Sequence, residues 1–169
     1  MLPFTISMLL SIRRHLCFLF PCDVAFWAAT CVAFFGFLRK ATLLPISPNV
    51  PGDACLLKGD LVVVDRNSFK LNIRRTKTIQ NNERILVLPF VTCPEKSICP
   101  VNAVKNLLYL APFDPKLPLF SYREGGSIRW WTHRSFTTRL RSLLKKAGYK
   151  SDLYSCHSFR RGGPPWPSA

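Results

Sequence analysis

Apolar positions recur at helical spacing from the start of the chain, through Leu9, Ile12 and Leu16, with Thr5 in place as an N-cap. This pattern predicts a helix over Leu2–Phe20. A Pro21-Cys22-Asp23 break follows, and Asp23 can cap a second helix that runs to about Leu44 and stops before Pro45. The next stretch, Ile46–Gly59, is punctuated by Pro48, Pro51 and Gly52 and reads as a loop. Then the period drops to two. Leu61–Asp65, Phe69–Thr78 and Arg84–Phe90 are β-branched or alternating runs, separated by Arg66-Asn67-Ser68 and by a Gln-Asn-Asn-Glu turn at 80–83. They predict a three-stranded antiparallel meander in which Phe69, Leu71 and Ile73 share one face, and that parity continues into Arg75 and Lys77. Helical spacing returns after Cys99-Pro100, with Val101, Val104, Leu107 and Leu108 apolar. Ala111–Phe120 is a proline-punctuated loop, and Thr132–Ala147 is amphipathic, with Phe136, Leu140, Leu143, Leu144 and Ala147 on one face and Gly148 as its stop. The expected fold class is therefore α+β: a mainly helical domain with a small three-stranded antiparallel sheet.

Composition narrows the classes of function. The chain has 169 residues, one domain's worth, and its 48% hydrophobic content with 13 Phe excludes a disordered polyelectrolyte. Against that core stands a formal charge of +15, which calls for a polyanionic partner: nucleic acid or an anionic membrane surface. Seven cysteines at irregular spacing, with no C-x2-C pair and three histidines, point away from zinc and from a disulfide framework. They read as small buried apolar residues kept reduced. The uncharged run Val24–Leu38 is shorter than the ~20 residues a bilayer span needs, and it is bounded by Asp23 and by Arg39-Lys40. Arg13 and Arg14 follow an apolar decapeptide, the reverse of a signal peptide. A helix apolar all round belongs in a core.

The charge is also placed. The polar side of the last amphipathic helix carries Arg134, Arg139, Arg141, Lys145 and Lys146, a stripe that can track a phosphate backbone or stand as an ordinary solvated face. Lys77 sits at the end of the middle strand, either as a solvated turn group or as one delivered to a site. In HSFRRGG, His157 and Arg160 are three apart, so in a helix they share a face that can hold one anion; the plainer reading is a solvated basic segment. No phosphate-loop or dinucleotide-binding glycine motif occurs.

Taken in order, FFGFLRKATLLP with Arg39, RRTKTIQ with Lys77, the basic helix and HSFRRGG resemble the tyrosine recombinase (phage integrase-like) superfamily. The wording is nearest to the recombinases of eukaryotic mobile elements of the DIRS and Crypton kind. The resemblance spans roughly Leu2–Gly163. It implies cofactor-free, metal-free phosphoryl transfer in DNA, in which a tyrosine attacks the scissile phosphate and a 5′-hydroxyl leaves. Arg39 and Arg160 would then grip the non-bridging oxygens, Lys77 would protonate the leaving oxygen, and His157 would hydrogen-bond the phosphate. Arg134, Arg139, Arg141, Lys145, Lys146 and Arg161 would contact DNA.

The departures from the family are equally specific. After Gly163 the sequence reads PPWPSA where the family continues with helix and its nucleophile, and no tyrosine follows His157. Tyr149 and Tyr154 precede it and do not match the nucleophile's place. No counterpart of the helical DNA-clamping domain that precedes the family's catalytic domain is expected within these 169 residues. The expectation is a partial recombinase-like catalytic domain over 1–163 with an aberrant proline-rich tail at 164–169, cleavage-deficient by itself. Its expected partners are double-stranded DNA and further copies of itself on DNA, without a membrane, in the nucleus where that substrate lies. A non-enzymatic basic nucleic-acid-binding module is the alternative, and a membrane-associated basic protein the third reading.

Overall fold

The computed structural model describes residues 2–52, 54–74, 85–111 and 114–162. Lys77 and Arg75 lie outside the described residues, as does the 163–169 tail. The architecture is α+β, as expected: helices pack on one face of a three-stranded antiparallel sheet, and a two-stranded hairpin forms a second, separate sheet.

The first helix, α1, is shorter than its apolar pattern suggests, running only Ile6–Arg13. Thr5 caps it, its Oγ1 accepting the Met8 N–H at 3.2 Å. The last turn then tightens, with the His15 and Leu16 amides bonding back to Ile12 and Arg13, and the chain leaves the helix axis. α2 spans Pro21–Gly36, and every residue from Asp23 to Phe34 is buried. The uncharged run is thus the central core helix. Among the described residues no helix is long and apolar enough to cross a membrane. Pro21 rather than Asp23 opens α2; Phe20 is its N-cap, and Asp23 sits in the first turn.

The expected continuation of α2 to Leu44 is interrupted. Phe37 turns left-handed at φ 52°, and a new short helix, α3 (Lys40–Leu43), begins with Arg39 as its N-cap. The break falls where α2 meets the sheet: a Cβ on Gly36 would lie 2.9 Å from the Phe90 ring and 3.1 Å from Leu88, so a larger residue there would force those side chains to shift.

The sheet contains β1 (Leu61–Asp65), β2 (Ser68–Ile73) and β3 (Leu86–Val91) in the order β1-β2-β3, the expected meander. Phe69, Leu71 and Ile73 are buried on its inner face, with Phe69 stacked on Phe90 at 4.7 Å. Pro100 opens α4 (Pro100–Leu110), which packs against α2. A hairpin that periodicity did not predict follows, β4 (Ser121–Glu124) and β5 (Ser127–Trp130), turning at Gly125 with φ +61°. α5 (His133–Lys146) is capped by a reciprocal pair, in which Ser135 N–H donates to Thr132 Oγ1 at 3.2 Å and Thr132 N–H donates to Ser135 Oγ at 2.9 Å. Gly148 ends it at φ +90°. The last described helix, α6 (Cys156–Gly162), packs on α2.

The start of the chain closes over this last helix. Leu2 N–H donates to the Leu153 carbonyl at 2.9 Å and Phe4 N–H to that of Ser158 at 3.0 Å. Phe4 fills the space below, 4.7 Å from Phe159 and 6.0 Å from Tyr154.

Candidate nucleic-acid interface

The stretch from His157 to Gly162 is helical, so the three-residue spacing of His157 and Arg160 acts as a helical spacing. Ser158 and Phe159 are fully buried while His157 is exposed and Arg160 half-buried. The buried pair anchors α6 and leaves the other two outward. The start of the helix is pinned by serines: Ser155 N–H donates to Ser158 Oγ at 3.1 Å, and His157 N–H donates to Ser155 Oγ at 3.2 Å. The histidine backbone is therefore held at the helix entrance.

Arg39 is exposed at the start of α3. Its neighbour Lys40 ties that corner to two other elements. The Lys40 charge reaches the Cys156 thiol at the start of α6, where Thr137 and Arg141 of α5 act as well. Burial dominates there nonetheless and pushes Cys156 up to about 11. The same lysine acts on His133, whose ring nitrogen Nε2 lies 2.8 Å from the Leu44 carbonyl. Burial lowers the His133 pKa and the Lys40 charge adds to that, outweighing the backbone hydrogen bonds to Leu44 and Lys40 that raise it. His133 thus ties the end of α3 to the start of α5, and the charges of Lys40 and Arg141 both act on Cys156 at the entrance of α6. Lys40 has no counterpart among the residues singled out from sequence. Its signal was only adjacency to Arg39.

Along α5, Arg134, Arg141 and Lys145 are exposed at i, i+7 and i+11, within about 40° of one another on the helix. Lys146 is exposed further round, and Arg161 is exposed on α6. Arg139 is different. Its Nη2 lies 3.2 and 3.3 Å from the two oxygens of buried Asp23, so its guanidinium joins α5 to α2 instead of standing free with the rest of the stripe. Sequence periodicity could not single it out, because the partner is 116 residues away.

Tyr154 is buried in the aromatic cluster with Phe4 and, at 6.2 Å, Tyr149. Tyr122, in β4, is also buried. Among the described residues no group of His, Cys, Asp and Glu is arranged to hold a metal. No protein-family model and no curated protein matches the chain.

Proposed function

We propose that the chain is a tyrosine recombinase-like DNA-binding domain that grips a backbone phosphate with Arg39, Lys77, His157 and Arg160. In this reading the exposed stripe of α5, with Arg134, Arg141, Lys145 and Lys146, runs along the duplex beside that phosphate, and Arg161 adds to it. The observation that supports it most is that the charges of Lys40, one residue after Arg39, and of Arg141 on α5 both act on Cys156, one residue before His157. In this reading Arg39, His157 and Arg160 share one basic corner, where guanidinium groups suit the planar, bidentate grip that phosphate oxygens need.

None of the four tyrosines, Tyr109, Tyr122, Tyr149 and Tyr154, follows His157. The 169-residue polypeptide is accordingly read as binding DNA without cleaving it, and further copies of the chain assemble on the duplex.

Fluorescence anisotropy with a labelled duplex tests this directly. Affinity should fall steeply as salt rises, because each neutralised phosphate releases counterions. Arg39→Ala and Arg160→Ala should each lower it, and Arg141→Ala with Lys145→Ala should reduce the salt slope by about 2. Binding indifferent to salt would sink the proposal.

A further inference from the structure

Away from the α3–α6 corner lies an open groove of about 1140 Å³ between the loop at Ile46–Asn49, the β4–β5 hairpin and the first turns of α5. None of Arg39, His157 and Arg160 lines it. Its walls combine two indoles, Trp130 and Trp131, with the guanidinium side chains of Arg129, Arg134 and Arg139. Both indoles are fixed in place: Trp130 Nε1 donates to the Ser47 carbonyl and Trp131 Nε1 to that of Cys22, each at 2.9 Å. Trp131 is further wedged against Phe26, 5.3 Å away. Trp130 is half-buried and lines the groove together with the exposed Ile46.

We propose that this groove binds unpaired, single-stranded DNA, with a base against Trp130 and the backbone phosphate drawn by Arg134. Three observations carry the choice of occupant. The two arginines other than Arg134 are each near a carboxylate, Arg139 on Asp23 and Arg129 4.0 Å from Glu124, whereas Arg134 makes no ion pair among the described residues. An uncompensated guanidinium beside immobilised indoles suits an anion joined to a planar ring. The groove is also larger than the ~300–1,000 Å³ typical of small-molecule clefts, which favours an oligomer over a single metabolite. Finally, a duplex hides the faces of its bases in its own stack, so rigid indoles in a groove serve a strand whose bases are free. The groove shares Arg134 with the duplex-binding stripe, so the two readings are separated at Trp130 and Ile46, which that stripe does not include.

The experiment titrates the full chain with a labelled oligothymidylate and, separately, with a duplex of equal length at the same salt. Trp130→Ala should weaken oligothymidylate binding about tenfold, the loss expected for one stacked base, and leave duplex affinity within twofold. Trp130→Phe keeps a ring but drops the bond to Ser47, and it should retain most of the single-strand affinity. Ile46 is 79% exposed, so Ile46→Glu leaves the fold intact and should repel the single strand while sparing the duplex. Unchanged oligothymidylate binding in both Trp130→Ala and Ile46→Glu overturns the proposal. So does equal competition by a polyglutamate peptide, which would mark the groove as a site for acidic protein segments. If Trp130→Ala fails to fold, Trp130→Phe and Ile46→Glu still decide the matter. Loss of duplex binding alone, with the single-strand arms as expected, would count against the recombinase-like reading and not against this groove.

Discussion

Arg139 and Asp23 join two helices that are far apart in sequence: Nη2 of Arg139 approaches both carboxylate oxygens of Asp23, at 3.2 and 3.3 Å. The same carboxylate accepts the Cys17 N–H at 3.0 Å, so it also fixes the turn between α1 and α2. Asp23 is 4% exposed, and removing its cation would leave a buried, uncompensated charge. Arg139→Ala should therefore destabilise the fold by about 3 kcal/mol in urea unfolding. Arg141→Ala, on the solvated stripe, should stay within about 0.5 kcal/mol of the parent. Similar losses for both would mean that the Asp23 contact contributes little.

Lys58 makes a pH-dependent prediction. It is fully buried, its Nζ donates to the Leu119 carbonyl at 3.3 Å, and burial brings its pKa down from 10.5 to about 8. Between those values the unfolded chain holds a proton that the folded chain lacks, so this group's contribution to stability rises with pH across that window. Lys58→Met keeps the volume and removes the charge, and it should be the more stable protein at pH 7. Its advantage should shrink by about 3 kcal/mol as pH climbs from 8 to 10.5, at roughly 1.36 kcal/mol per pKa unit. The thiols of half-buried Cys93 and buried Cys156, raised to about 11, pull stability the other way but are common to both proteins and cancel in the difference. A difference that is flat with pH would show that Lys58 folds with its ordinary pKa.

Gly36→Ala should cost about 1–3 kcal/mol by overpacking, since the new methyl would meet the Phe90 ring and Leu88. The second substitution Phe90→Leu, which shortens the ring, should recover part of that loss, and chemical unfolding of the double variant measures it. Additive effects in the double variant would place the strain elsewhere.

Incubation of the 169-residue polypeptide with a nicked duplex should yield no protein–DNA adduct that survives denaturation. Tyr154 packs with Phe4 and Tyr149 in the core, so Tyr154→Phe should change DNA affinity less than twofold. An adduct mapped by mass spectrometry to Tyr149 or Tyr154 would contradict the roles inferred from the family resemblance. In a chimera that restores a family-like segment with its tyrosine after Gly163, cleavage should appear, and Arg160→Ala should abolish it.

Local pattern alone was enough for several elements, for reasons that are local too. Thr5 and Thr132 cap the helices they precede, Pro100 opens α4, Gly148 stops α5, and the alternation of Phe69, Leu71 and Ile73 makes the inner face of the meander. Each follows from one turn of backbone geometry or one side-chain period. The hairpin of β4 and β5 had a local signal as well, the Gly125-Gly126 pair between two short runs, but strands of four residues carry too little alternation to stand out. Tertiary structure alone decided the rest. Helix α2 ends at Gly36, beside Phe90 and Leu88 of β3, where Phe37 turns left-handed, although its apolar sequence continues. Arg139 leaves the basic stripe because Asp23 is buried beside it, and Trp130 joins Arg134 in a groove because a distant loop carbonyl holds its indole. Such outcomes depend on which surfaces exclude water together, and spacing along a chain does not encode that.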